Sequence, residues 1–209
     1  MAQKINLRES VILFRLLKSY YVCVGFLYFA LFVRLLVLLP LVGRKFLPGG
    51  IHTFFEQVTY ITFGLGLLLS CVQLVPIAPL QYILGNFLNV VVVWILSKDI
   101  KLQRHAVYGL YIGDVAVTGI VAYVYHFQKL VYIGHTPAAT RGFYQAISLA
   151  DLVLRGLLEF VILFMGLKYV EGPYKTALSV VIFFHIPTKF FLLKRLWTKQ
   201  SSGDQVKVE

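Results

Sequence analysis

The sequence predicts an all-α fold, a polytopic transmembrane helix bundle of about six spans with an N-terminal interfacial amphipathic helix. Three observations predict it. Of the 209 residues, 59% are hydrophobic and only 14% charged, against roughly 45–50% and about 25% in ordinary soluble domains. The mean hydropathy is +0.79, and most apolar runs approach the length that a bilayer core of roughly 30 Å requires. These runs end at Pro, Gly or clusters of Lys and Arg, the usual helix stops. A chain of this length cannot bury so much apolar surface within itself, and a bilayer is the solvent that accepts it.

Residues 1–19 read as the amphipathic lead-in. Asn6 can cap a helix with Glu9 three residues on. Lys4, Arg8, Arg15 and Lys18 then share a stripe, while Ile5, Ile12, Phe14 and Leu16 lie mainly away from it. The bundle occupies 20–193. Its first span, 20–42, stops at Pro40, Gly43 and Arg44–Lys45, and its apolar run reads as an uncleaved signal-anchor. After the turn at Pro48-Gly49-Gly50 the second span covers 57–75. Val75-Pro76-Ile77-Ala78-Pro79 breaks the helix twice, and the third span follows at 80–96. Two runs so closely joined form a hairpin. Four spans result if this hairpin is re-entrant. Lys98, Asp99, Lys101 and Arg104 make a polar loop before the fourth span, 106–127. A long connection, 128–146, precedes the fifth span, 147–167. The sixth, 176–193, is interrupted by His185, Pro187 and Lys189. Residues 194–209 form a polar tail whose last nine residues read as disordered.

The net charge of +11 lies mostly between apolar runs, where it suits anionic lipid headgroups rather than nucleic acid. With six spans, ten Lys and Arg fall on the side of the termini and seven on the other, leaving out Arg34, Arg155 and Lys189 within spans. That excess favours cytosolic termini. Cys23 and Cys71 sit inside apolar runs and read as small buried hydrophobes, not as a disulfide or metal ligands. None of Asn6, Asn86 and Asn89 begins a glycosylation triplet.

Ionisable residues inside spans are costly and mark contacts or function. Asp114 lies eight residues into the fourth span. It reads as a tie to a basic side chain, with Arg34 as the obvious partner, or as a ligand contact or proton acceptor. Arg34 can instead snorkel to the interface. Asp151, Arg155 and Glu159 stack at four-residue intervals on one helix face. The apolar run after them, Gly156 to Leu167, spans only about 18 Å at ~1.5 Å per residue, so Arg155 and Glu159 must enter the membrane. This face points into the bundle or into another protein's membrane domain. As a catalytic pair, its two carboxylates could flank a headgroup. His185 and Lys189 flank the opening that Pro187 makes in its helix. No metal-ligand spacing, phosphate-cradling loop or metalloprotease motif occurs, and no cofactor is implied. Gly109-x-x-x-Gly113 and Gly66-x-x-x-Ser70 mark close helix approaches. The aromatics read as interfacial belts and packing.

Three segments carry a family resemblance: Ile5-Asn6-Leu7-Arg8-Glu9-Ser10 leading into a Tyr-rich first span, GRKFLPGGIHTFF at 43–55, and HIPTKFFLLKRLW at 185–197. Together with the chain length, they resemble the small fungal Keg family. That resemblance implies a multi-pass protein of the endoplasmic reticulum membrane, in β-1,6-glucan and cell-wall assembly. It implies binding to a membrane-anchored glycosyl-hydrolase-like glucan-synthesis protein, and supplies no catalytic residues. Only Lys207 of a dilysine retrieval signal stands near the C-terminus, so retention rests on the partner or the spans. The expectation is a non-catalytic accessory protein that docks a client's membrane segment through small-residue steps and the Asp151/Arg155/Glu159 face. The alternative is an enzyme acting on a lipid or lipid-linked sugar, with Asp114, Glu159 and His185 meeting in a wet cavity. A small transporter is weaker, because no broken half-helices recur in two halves.

Overall fold

A computed structural model describes residues 11–43, 47–72, 74–75, 79–98, 100–132 and 136–205. These form seven α-helices and a π-helical turn, with no strand among the described residues. The helices are α1 (Val11–Val42), α2 (His52–Cys71), α3 (Pro79–Leu96), α4 (Ile100–Gln103), α5 (Ala106–Val131), α6 (Ala138–Gly166) and α7 (Pro173–Gln205). The π-helical turn, Leu47–Ile51, leads into α2. The proposed Asn6–Glu9 cap, Lys4, Arg8, Arg44–Lys45, Pro76 and Asp99 lie outside the described residues.

Glycine and proline set two of the helix ends, one of them the end expected at residue 42. α1 stops at Val42 because Gly43 takes φ +72°, and its N–H donates to the Leu39 carbonyl at 3.0 Å. That left-handed cap satisfies one of the carbonyls a helix end leaves open. α7 begins at Pro173, directly after Gly172 at φ +64°, with proline in the first helical position where its missing N–H costs nothing.

Three boundaries differ from expectation. No break separates 11–19 from the first span, since α1 runs on unbroken from Val11. The connection expected over 128–146 is mostly helix. α5 continues to Val131, and α6 starts at Ala138 with Pro137 fixing its first turn and Gly142 absorbed inside. α7 passes through Pro187 and reaches Gln205, into the stretch expected to be a disordered tail. Glycine and proline read as stops in sequence, but each is tolerated where it begins a helix or where packing holds the helix across it.

Among the described residues, three helices are long and apolar enough to cross a membrane: Ile12–Leu41, Leu47–Cys71 and Ala106–Val131. Gly85–Leu96 is a shorter apolar helix. In α6 and α7 the charges interrupt the apolar sequence. At 29 and 33 residues they nonetheless measure about 44 and 50 Å at ~1.5 Å per residue.

α1 lies along α5, α5 along α6, and α6 along α7, while α2 pairs with α3 and α3 touches α6. The charged helix α6 is thereby enclosed on three sides. The core draws Leu31 and Leu35 from α1, Leu47 and Ile51 from the π-helical turn, Tyr108 and Tyr111 from α5, and Ile162 and Leu163 from α6. Outward-facing residues are mostly apolar, among them Phe26, Leu41, Leu68, Phe183 and Phe190, as a lipid-facing surface requires. Only 17% of the most apolar stretch of α1 is buried, so most of that helix faces outward. Cys23 and Cys71 also face outward. They are therefore not the buried hydrophobes that their apolar surroundings suggested, because those runs turn part of their circumference to lipid.

The small-residue steps seat neighbours within the chain. A Cβ at Gly66 would overlap the Tyr82 ring and hydroxyl from α3, and one at Gly113 would lie 3.4 Å from Leu35 of α1. The Tyr82 hydroxyl donates to the Thr62 carbonyl at 3.1 Å, which fixes the ring against Gly66. Gly64, two residues earlier, faces open space. Gly66→Ala is expected to lower thermal stability in detergent by about 1–3 kcal/mol, the range for overpacking. Gly64→Ala should be neutral or stabilising by up to about 1 kcal/mol from helix propensity. Equal midpoints for the two variants would contradict this packing.

Candidate functional site on the sixth helix

The stripe Asp151, Arg155 and Glu159 faces the bundle and finds its partners there. Arg155 Nε lies 3.3 Å from Asp114 Oδ2 on α5, and its Nη2 lies 2.5 Å from Asp151 Oδ1 one turn back on α6. Nη2 also donates to the Thr118 hydroxyl, which in turn donates to the Asp114 carbonyl at 2.8 Å. Asp114 and Thr118 are one helical turn apart, so both present to the same guanidinium. One cation thus sits between two carboxylates and a hydroxyl.

A second cluster lies one turn further along α6. Glu159 Oε2 is 2.7 Å from Lys189 Nζ and 3.1 Å from His185 Nε2. The Glu159 and His185 side chains are 1% and 2% exposed. His185 and Lys189, four residues apart, lie on one face of α7 and close on the same oxygen. The lysine stem crosses α6 over Gly156, where a Cβ would lie 3.6 Å from it. Glycine there leaves room for the stem, so the ammonium reaches a carboxylate that would otherwise be buried alone.

These positions answer the expectations residue by residue. Asp151, Arg155 and Glu159 form a polar face directed into this chain. Asp114 is ion-paired, but with Arg155 and not with Arg34. Arg34 is exposed, with its guanidinium carbon 5.3 Å from the centre of the Phe54 ring. The fourteen residues from the start of the span to Arg34 suggested depth in the membrane, whereas its side chain turns out of the bundle. Asp114, Glu159 and His185 do not converge. His185 joins Glu159 in one cluster, and Asp114 belongs to the other. Their carboxylates are closed in ion pairs rather than set across an open pocket.

Sequence reasoning missed several polar contacts. His52 Nδ1 lies 2.6 Å from the Tyr108 hydroxyl, buried beside the π-helical turn. Tyr111 donates to Asn89 Oδ1 at 2.9 Å. A cavity of about 210 Å³ opens beside Asp151 and Arg155, among Tyr28, Tyr82, Asn86 and Tyr144. The signal was present as spacing: Tyr82, Asn86 and Asn89, and Tyr144, Ser148, Asp151 and Arg155, each recur at helical intervals in apolar helices.

Removing one partner of a buried pair leaves an uncompensated charge and costs about 3–5 kcal/mol. Glu159→Leu is expected to lose about that much in thermal or denaturant unfolding, and Glu159→Leu with Lys189→Met to recover part of it. Arg34→Leu should change stability by less than about 1 kcal/mol, as exposed charges do. A loss for Arg34→Leu as large as for Glu159→Leu would overturn the assignment.

No family model and no solved structure matches the chain. Among curated proteins it is similar to the Saccharomyces cerevisiae "Beta-1,6-glucan synthesis-associated protein KEG1". They are 55% identical over 40 residues, which cover 19% of this chain and 20% of that protein. This short match agrees with the resemblance to the Keg family and covers about a fifth of each chain.

Proposed function

We propose that this chain is a non-catalytic accessory protein of the endoplasmic reticulum membrane. It binds a membrane-anchored glucan-synthesis protein and holds it stable or retained during fungal cell-wall biogenesis. The observation that carries the reading is the closure of the intramembrane carboxylates. Glu159 is locked by His185 and Lys189, and Asp114 by Arg155, while Asp151 pairs with the same arginine at the edge of a cavity. A general acid or base must reach the proton it transfers, and closed pairs of this kind do not. What they do is fix three helices against one another. The name of the yeast relative, associated with β-1,6-glucan synthesis, supports the choice of process.

In this reading six helices cross the membrane, α1 to α3 and α5 to α7, with both termini cytosolic. The charges of α6 and α7 are neutralised internally, which lets these two helices enter lipid despite them. Arg15 and Lys18, exposed at the start of α1, suit anionic headgroups at the membrane surface. The α6 face is occupied within the chain, so the client contacts the outward helix surfaces, where van der Waals packing between spans drives association.

The test is a crosslinking pull-down of the tagged chain from native fungal membranes, read by mass spectrometry. One membrane-anchored glycosyl-hydrolase-like protein is expected to dominate, and its level should fall when the chain is depleted. Recovery without any glucan-assembly protein, or an unchanged client level on depletion, would refute the proposal.

A further inference from the structure

The cavity beside Asp151 and Arg155 has a composition that the accessory role does not need. It is lined from four helices: Tyr28 of α1, Tyr82 and Asn86 of α3, Thr118 of α5, and Ser148 and Asp151 of α6. Polar side chains are costly at membrane depth unless they meet partners. Several of these retain unused capacity. Asn86 gives its Nδ2 to the Tyr82 carbonyl at 2.9 Å, which leaves its Oδ1. Asn89, also in the lining, accepts from Tyr111 on Oδ1, which leaves its Nδ2 to donate. Asp151 is 21% exposed toward this space.

We propose that this cavity binds the uncharged, polyhydroxylated headgroup of a membrane glycolipid, one sugar ring deep. Three arguments select that class. Charge excludes an anionic headgroup, because the one arginine in the lining already faces two carboxylates, Asp114 and Asp151. No cation is left for a phosphate, whose recognition uses unpaired Arg or Lys. Hydrogen bonding disfavours a quaternary ammonium, although tyrosine rings can receive one. Such a group would leave the amides and hydroxyls without partners, at the penalty of burying unsatisfied polar groups. A sugar ring supplies several hydroxyls, each able to donate and accept, and its CH faces pack on tyrosine rings. Size sets the depth. At about 210 Å³ the cavity is smaller than the ~300–1,000 Å³ of drug-sized sites, so it takes one ring and not an oligosaccharide.

Ala122 of α5 also lines the cavity and makes no side-chain hydrogen bond, so Ala122→Leu fills the space while leaving the ion clusters intact. The purified chain is reconstituted in phosphatidylcholine nanodiscs doped with glucosylceramide or, in a second arm, phosphatidic acid. Lipid retained on release is read by native mass spectrometry. The expected result is retention of glucosylceramide over phosphatidic acid, reduced about tenfold in Ala122→Leu. Ser148→Val serves as the second variant, and the one whose thermal midpoint stays near the parent's is the one read. No retention by the parent chain, preference for phosphatidic acid, or equal retention by the cavity-filled variant overturns the proposal. None of these outcomes bears on the client pull-down, so the two readings fail separately.

Discussion

Everything in this bundle depends on neutralising the charges of α6. A helix with Asp151, Arg155 and Glu159 on one stripe is a poor solute in hydrocarbon. Its neighbours make it tolerable, α5 by bringing Asp114 and Thr118 to the guanidinium and α7 by bringing His185 and Lys189 to the glutamate. The pairs are not strong evidence for net stability, because replacing a whole buried pair by apolar side chains is often neutral. They favour one register: sliding α7 along α6 by one turn would bring one of the two partners to the other's place and leave Glu159 with at most one of them.

The rest of the packing follows from small residues opposite large ones. Tyr82 seats on Gly66, Tyr28 on Gly119, and Ile95 on Gly166. Tyr28 and Tyr82 bring their hydroxyls to Thr62, as Tyr111 does to Asn89 and Tyr108 to His52. The result is a mainly apolar interior that holds a minority of polar side chains, most of them paired within it.

The helical, membrane-bound character was legible because composition and run length dictate it. Span ends were legible where proline and glycine act as caps, as at Gly43, and illegible where the same residue types sit inside helices, as Gly142 and Pro187 do. The inward stripe on α6 could be read from four-residue spacing, which places Asp151, Arg155 and Glu159 on one helix face. Its partners were harder to read. Arg34 seemed apt for Asp114 by depth alone, but depth does not reveal azimuth, and Arg34 points out of the bundle. Lys189 was visible as half of a pair with His185. That Glu159 completes it depends on how α6 and α7 face each other, which no local pattern encodes. The tyrosine- and asparagine-lined cavity was hidden because aromatic residues in spans read first as interfacial belts.

The two halves of the Glu159 cluster are twenty-six residues apart in the chain, and the cation comes last. Synthesis runs from the N-terminus, so Glu159 is made before either partner and stays without both until α7 packs against α6. A chain truncated before residue 185 would hold Glu159 with neither partner, leaving an uncompensated charge at this helix contact.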